Sequence, residues 1–151
     1  MDYQLQEGSL ALPEGYQDRT VNMFVLGKSM PAPLSITVSR DDLLPGEALA
    51  PYVERQLKLL ASKLRGYRVL GQNAASLSKA LPIAGIQVDA YYLSDGRPYY
   101  QRQAAFLIAP ERALVFSTTS QSQFTAEQTA SWQDMLDSFT PRQPAPGAAE
   151  E

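Results

Sequence analysis

The stretch Ser94-Asp95-Gly96-Arg97 does most to limit the fold, because it separates two runs, 87–93 and 99–108, that alternate like strands. An Asp-Gly pair between such runs is a strong hairpin signal. Further strand-like runs lie at 3–6, 9–12, 20–26 and 34–40, separated by PEG, GKSMPAP and DDLLPGE, and at 67–74 and 113–120.

Two segments change to helical spacing. Over 47–64, Val53, Leu57, Leu60 and Leu64 recur at three- and four-residue intervals, Pro51 falls in the first turn, and Gly66 is a natural stop. The second helix is expected at 126–139, with Thr125 as N-cap and Gln128 three residues on as its capping-box partner. Trp132, Met135, Leu136 and Phe139 form its apolar face, and Pro141 ends it. Strands grouped before and after one helix predict an α+β fold, an antiparallel sheet carrying its helices on one face. One domain over 1–142 is expected, with the small, polar, Pro-containing 143–151 as a disordered tail.

Composition narrows the chemistry. The chain has no His and no Cys, which excludes serine–histidine hydrolysis and removes the usual zinc ligands. An enzyme would need carboxylate, Lys, Tyr or Ser/Lys chemistry, and no catalytic spacing of these is visible. Asp41-Asp42 reads more simply as the start of a loop near the positive end of the first helix. Gly85 reads as a turn glycine, and no phosphate-cradling glycine pattern is present. No metal or cofactor is expected. A net charge of −3 with scattered Lys and Arg offers no footprint for nucleic acid. The first residues lack a basic segment followed by an apolar one, and nowhere do 18 apolar residues run together, so a soluble, cytoplasmic protein without membrane insertion is expected.

Three strands have unusual faces. In LSITVSR, Leu34, Ile36 and Val38 alternate with the hydroxyls of Ser35, Thr37 and Ser39, so the aliphatic side belongs to the core and the other is flat and weakly polar. In TVNMFVL, Val21, Met23 and Val25 share one face while Phe24 and Leu26 share the other. A strand apolar on both sides is read most simply as sandwiched between the sheet and a helix of its own domain. In YYQRQAAFLIA, Tyr99, Gln101, Gln103 and Ala105 make an uncharged side, and the Tyr91-Tyr92 and Tyr99-Tyr100 pairs should meet across the hairpin. On the first helix, Gln56, Leu60 and Leu64 form a stripe.

The opening LALPEGYQDRTVNMF, then ITVSRD, YVERQL, YYQRQAAF and the Trp-containing helix ending in FTPR together resemble the Eag family of type VI secretion effector chaperones, within the DcrB-like domain families. The resemblance runs from about residue 3 to residue 142. It implies a DcrB-like (Mog1/PsbP-like) fold, a curved sheet with two helices and a concave groove. It further implies a cytoplasmic, homodimeric, non-enzymatic chaperone that shields the N-terminal transmembrane segments of a PAAR-containing effector and supports loading onto the spike, which it meets only indirectly.

Position by position, Val21 and Met23 match the family's apolar groove residues, and Ser35 and Ser39 its groove serines. Thr37 stands where the family has a β-branched aliphatic residue. Gln56 and Gln103 match the groove glutamines. Leu60 and Leu64 stand where the helix lines the groove, Leu60 being bulkier than the small residue expected there. The alternative is a DcrB-like binding module with a partner unrelated to secretion.

Overall fold

The computed structural model describes residues 2–28 and 34–142; the expected tail at 143–151 lies outside them. Eight strands and two helices follow in the order β1 (Asp2–Gln4), β2 (Ser9–Ala11), β3 (Asn22–Val25), β4 (Leu34–Asp42), α1 (Leu49–Lys63), β5 (Arg65–Leu77), β6 (Ile83–Ser94), β7 (Arg97–Ala109), β8 (Arg112–Ser120) and α2 (Ala126–Asp137). β1 and β2 form a small ribbon of their own. The other strands build one sheet in the order β3-β4-β8-β7-β6-β5, antiparallel throughout and open at β3 and β5. The predicted hairpin is the β6–β7 turn, with Asp95 and Gly96 both at positive φ. Its cross-strand tyrosines meet as expected, Tyr92 stacked on Tyr99 and Tyr91 edge-on to Tyr100, each pair 5.4 Å between ring centres.

The helices lie on opposite faces of the sheet, not on one. Tyr52 and Val53 of α1 pack with Val88, Ala105 and Ala113, whereas Trp132 and Leu136 of α2 pack with Ala104, Phe106, Leu114 and Phe116. Ala104 and Ala105 are neighbours in β7 and so point to opposite sides. Alternating runs with apolar residues in both registers signal two covered faces.

The capping box at the start of α2 is present: Gln128 N–H donates to Thr125 Oγ1 and Thr125 N–H to Gln128 Oε1. Its far end is closed by the β5–β6 turn, where Ser78 and Lys79 N–H groups donate to the Leu136 and Asp137 carbonyls. α1 stops earlier than expected. Leu64 turns extended and starts the run into β5, while Gly66, at φ +66, sits in a bulge of that strand.

Gly85 is no turn glycine. It lies inside β6 opposite Phe106, and a Cβ there would come within 2.3 Å of the Phe106 ring and 2.4 Å of the Ala105 carbonyl oxygen. The glycine lets an aromatic ring lie flat against the backbone. Asp41 and Asp42 likewise end β4 instead of opening a loop.

The sandwich expected around β3 is not there. β3 is an edge strand with Met23 68%, Phe24 59% and Val25 50% exposed. Among the described residues nothing of the domain's two helices packs on this apolar edge.

Candidate functional site

Strand register assembles a continuous surface on the α1 side of the sheet. One row runs Met23, Thr37, Ser117, Gln103, Val88 across five strands, and the next runs Val25, Ser35, Thr119, Gln101, Ala90. A third carries Ser39, Val115, Ala105 and Ile86. α1 packs on Ile86, Val88 and Ala105 through Val53 and Leu57. The β3, β4 and β8 portions of these rows stay open, floored by small hydroxyls and bordered by apolar Met23 and Val25.

Where α1 meets that floor there is a cleft of about 190 Å³, bounded by Gln56, Leu57 and Leu60 on the helix and by Ser39, Gln103, Ala105 and Val115 on the sheet. Four of the sequence-predicted residues, Ser39, Gln56, Leu60 and Gln103, thus line one cleft. Ser35, Thr37 and Met23 continue the same face by register. Val21 lies just before β3, 55% exposed, beside a separate hollow with Arg40, Asp41 and Asp42. Leu64 caps α1, half-buried, and does not line the cleft. Ser117, Thr119 and Val115 were not singled out from sequence, yet the alternation of VFSTTS carries them onto the floor.

One end of the cleft is closed by a hydrogen bond from Tyr52 Oη to Asp41 Oδ2, 2.8 Å, which ties α1 to β4. Burial, with Asp41 as the second cause, pushes the Tyr52 phenol well above its ordinary value, so it stays a donor. Glu47 accepts both Arg55 Nε and Nη2, at 3.0 and 2.8 Å, and that contact lowers its pKa. Arg40 Nη1 donates to Asn22 Oδ1 and so holds β3 against β4. Among the described residues two buried polar atoms, Tyr67 Oη and Gln101 Oε1, have no hydrogen-bond partner.

Among the described residues no group of three carboxylates, histidines or cysteines is placed to hold a metal. The carboxylate lining the cleft, Asp41, accepts a hydrogen bond from the Tyr52 phenol, whose pKa is raised. The surface is suited to covering an apolar segment, with amides and hydroxyls available to any polar group that segment carries. No described helix is long and apolar enough to cross a membrane.

An open antiparallel sheet with one helix on each face and a cleft under α1 defines a class of α+β domain. The DcrB family model matches residues 7–138, and the chain belongs to that family. It is similar to a curated Pseudomonas aeruginosa protein (strain PAO1) named Effector EagT6, 28% identical over 141 residues, covering 93% of this chain and 95% of the relative. The Eag resemblance read from the sequence accordingly extends over nearly the whole chain. Among solved structures it is similar to PA94 from Pseudomonas aeruginosa, a protein of unknown function, with a TM-score of 0.70, 25% identity, and coverage of 95% of this chain and 97% of that one.

Proposed function

We propose that the chain is a non-enzymatic chaperone for a type VI secretion effector. It holds the N-terminal transmembrane segments of a PAAR-containing client on the surface between α1 and β3 and supports loading of the client onto the spike. The observation that carries this reading is the row from exposed Met23 through Thr37 and Ser117 to Gln103, an apolar border leading onto a floor of small hydroxyls and an amide. Similarity to EagT6 supports the Eag assignment.

The physical need is clear. A transmembrane helix of about 20 apolar residues aggregates or enters the wrong membrane if left in water. Covering roughly 500 Å² of it at about 25 cal/mol per Å² would contribute on the order of 12 kcal/mol gross, before ordering costs. Met23, Val21, Val25 and Leu60 supply that attraction, and Met23 adapts to uneven surfaces through its flexible thioether. Ser35, Thr37, Ser39 and Ser117 let a helix backbone come close, while Gln56 and Gln103 satisfy polar groups that would otherwise be buried unpaired.

Such a client is held before export, which places the chaperone in the cytoplasm. On the face away from the cleft, exposed Phe24 and Leu26 stand beside half-buried Leu34 and Ile36, an apolar strip that packs against a second copy in a homodimer.

The test is co-expression with an N-terminal client fragment. The fragment should stay soluble with the wild-type chain and precipitate with Met23→Asp, whose site is already exposed and whose fold should hold. Undiminished solubilisation by that variant would sink the groove assignment, and failure with every effector fragment would favour a DcrB-like module with another partner.

A further inference from the structure

The surface under α1 carries opposite charge at its two ends. Along β7 the row Ala105, Gln103, Gln101, Tyr99 continues to Arg97, exposed at the hairpin end of the strand. On α1, Tyr52, Gln56 and Lys63 recur on one side of the helix, and the reach of Tyr52 to Asp41 marks that side as the one facing β4. Lys63 is the last residue of the helix and is exposed. Both rows therefore run on past the residues lining the cleft to a cation toward the hairpin end of the sheet. Among the described residues neither Lys63 nor Arg97 makes an ion pair. Exposed Arg65 stands close by, and Asp95 in the turn is the acidic group there.

At the opposite end Asp41 is half-buried beside Tyr52. The cation nearest it, Arg55, lies over the Tyr52 ring and is paired with Glu47 at 2.8 Å; Arg112 stands 3.9 Å from Asp42, and Arg40, which keeps its charge, is turned to Asn22 and the Val38 carbonyl. One mouth thus offers free positive charge and the other a carboxylate.

We propose that the cleft reads the direction of its client. It takes an apolar helix whose carboxyl end, flanked by acidic residues, lies at Lys63 and Arg97, and whose amino end lies at Asp41. A helix carries partial negative charge at its carboxyl terminus and partial positive charge at its amino terminus, so this orientation matches both ends, and acidic flanking residues strengthen it. Apolar contact gives affinity without direction; the terminal charges supply the direction. The proposal rests on the cleft being the client site.

The experiment titrates the full chain, at low salt, with two synthetic 20-residue Leu/Ala helical peptides. One has two Lys before its amino end and two Asp after its carboxyl end; the other has these flanks exchanged. The Asp-terminated peptide should bind about tenfold more tightly, the preference should collapse in Lys63→Glu/Arg97→Glu, and it should shrink in 1 M salt. Equal affinity of the two peptides for the wild-type chain would overturn the proposal while leaving the cleft as a client site. Absence of binding by both peptides would overturn the cleft reading, and the proposal with it.

Discussion

Tyr52 on α1 donates its phenol hydrogen to Asp41 at the end of β4, 2.8 Å away, and this contact joins the helix to the open half of the sheet. Removing the hydroxyl with Tyr52→Phe leaves Asp41 one donor short in a half-buried place. A loss of about 1–2 kcal/mol is expected, measured as a lowered urea midpoint with unchanged slope. An unchanged midpoint would mean that water replaces the phenol at no cost.

Alkaline stability follows from the same residue. Burial raises the pKa of Tyr52, and to a lesser extent those of Tyr67 and Tyr92, so below an ordinary tyrosine value of about 10 both folded and unfolded chains keep these protons. Above it the unfolded chain releases them first. Stability should be full below about pH 10 and fall as pH rises further, and Tyr52→Phe should flatten that fall. Equilibrium unfolding between pH 8 and 11 measures both curves.

Gly85→Ala should be among the most damaging small substitutions in the chain. The added methyl meets the Phe106 ring and, less yieldingly, the Ala105 carbonyl oxygen. A cost of at least about 1–3 kcal/mol is expected, and Phe106→Leu should restore only the part due to the ring. A melting temperature within a degree of wild type would contradict this packing.

Arg102 is 8% exposed and is held by Asp89 at 2.7 Å, by Thr129 at 3.1 Å and by the Phe124 ring at 4.8 Å. Asp89→Ala strands that buried cation, whereas Arg102→Met removes the charge and keeps the volume. The first should cost about 2–3 kcal/mol and the second distinctly less. The reverse order in thermal melts would argue against charge burial as the cause.

Ser117→Leu places a branched side chain on the floor between Thr37 and Gln103, its neighbours across the sheet. Ser117 is only half-buried, so the fold should tolerate it. Client capture should drop at least about tenfold, because small residues set how closely a helix backbone approaches. Pull-down of a client fragment at equal chaperone concentration reads this directly.

Strand periodicity and the Asp-Gly turn made the antiparallel sheet legible, and the Thr125–Gln128 spacing marked the second helix. What periodicity cannot say is which residues meet across strands. Ser117 and Thr119 complete the floor only because β8 pairs with both β4 and β7, a long-range arrangement absent from any local window. Gly85 misled for a related reason, since its partner Phe106 is distant in sequence and a strand glycine and a turn glycine look alike without it. The apolar faces of TVNMFVL were read correctly as faces, but whether the domain itself covers them depends on strand order, which puts β3 at an edge.

The two open edges of the sheet are not equivalent. β5 is long, but its pairing is interrupted between Arg65 and Arg68 and again between Val69 and Gly71, which twists it away from a straight run of donors and acceptors. β3 pairs without interruption along its short length. A strand added from outside would find a regular but short and apolar template at β3, and at β5 a regular one only past the two bulges, over Gly71–Leu77.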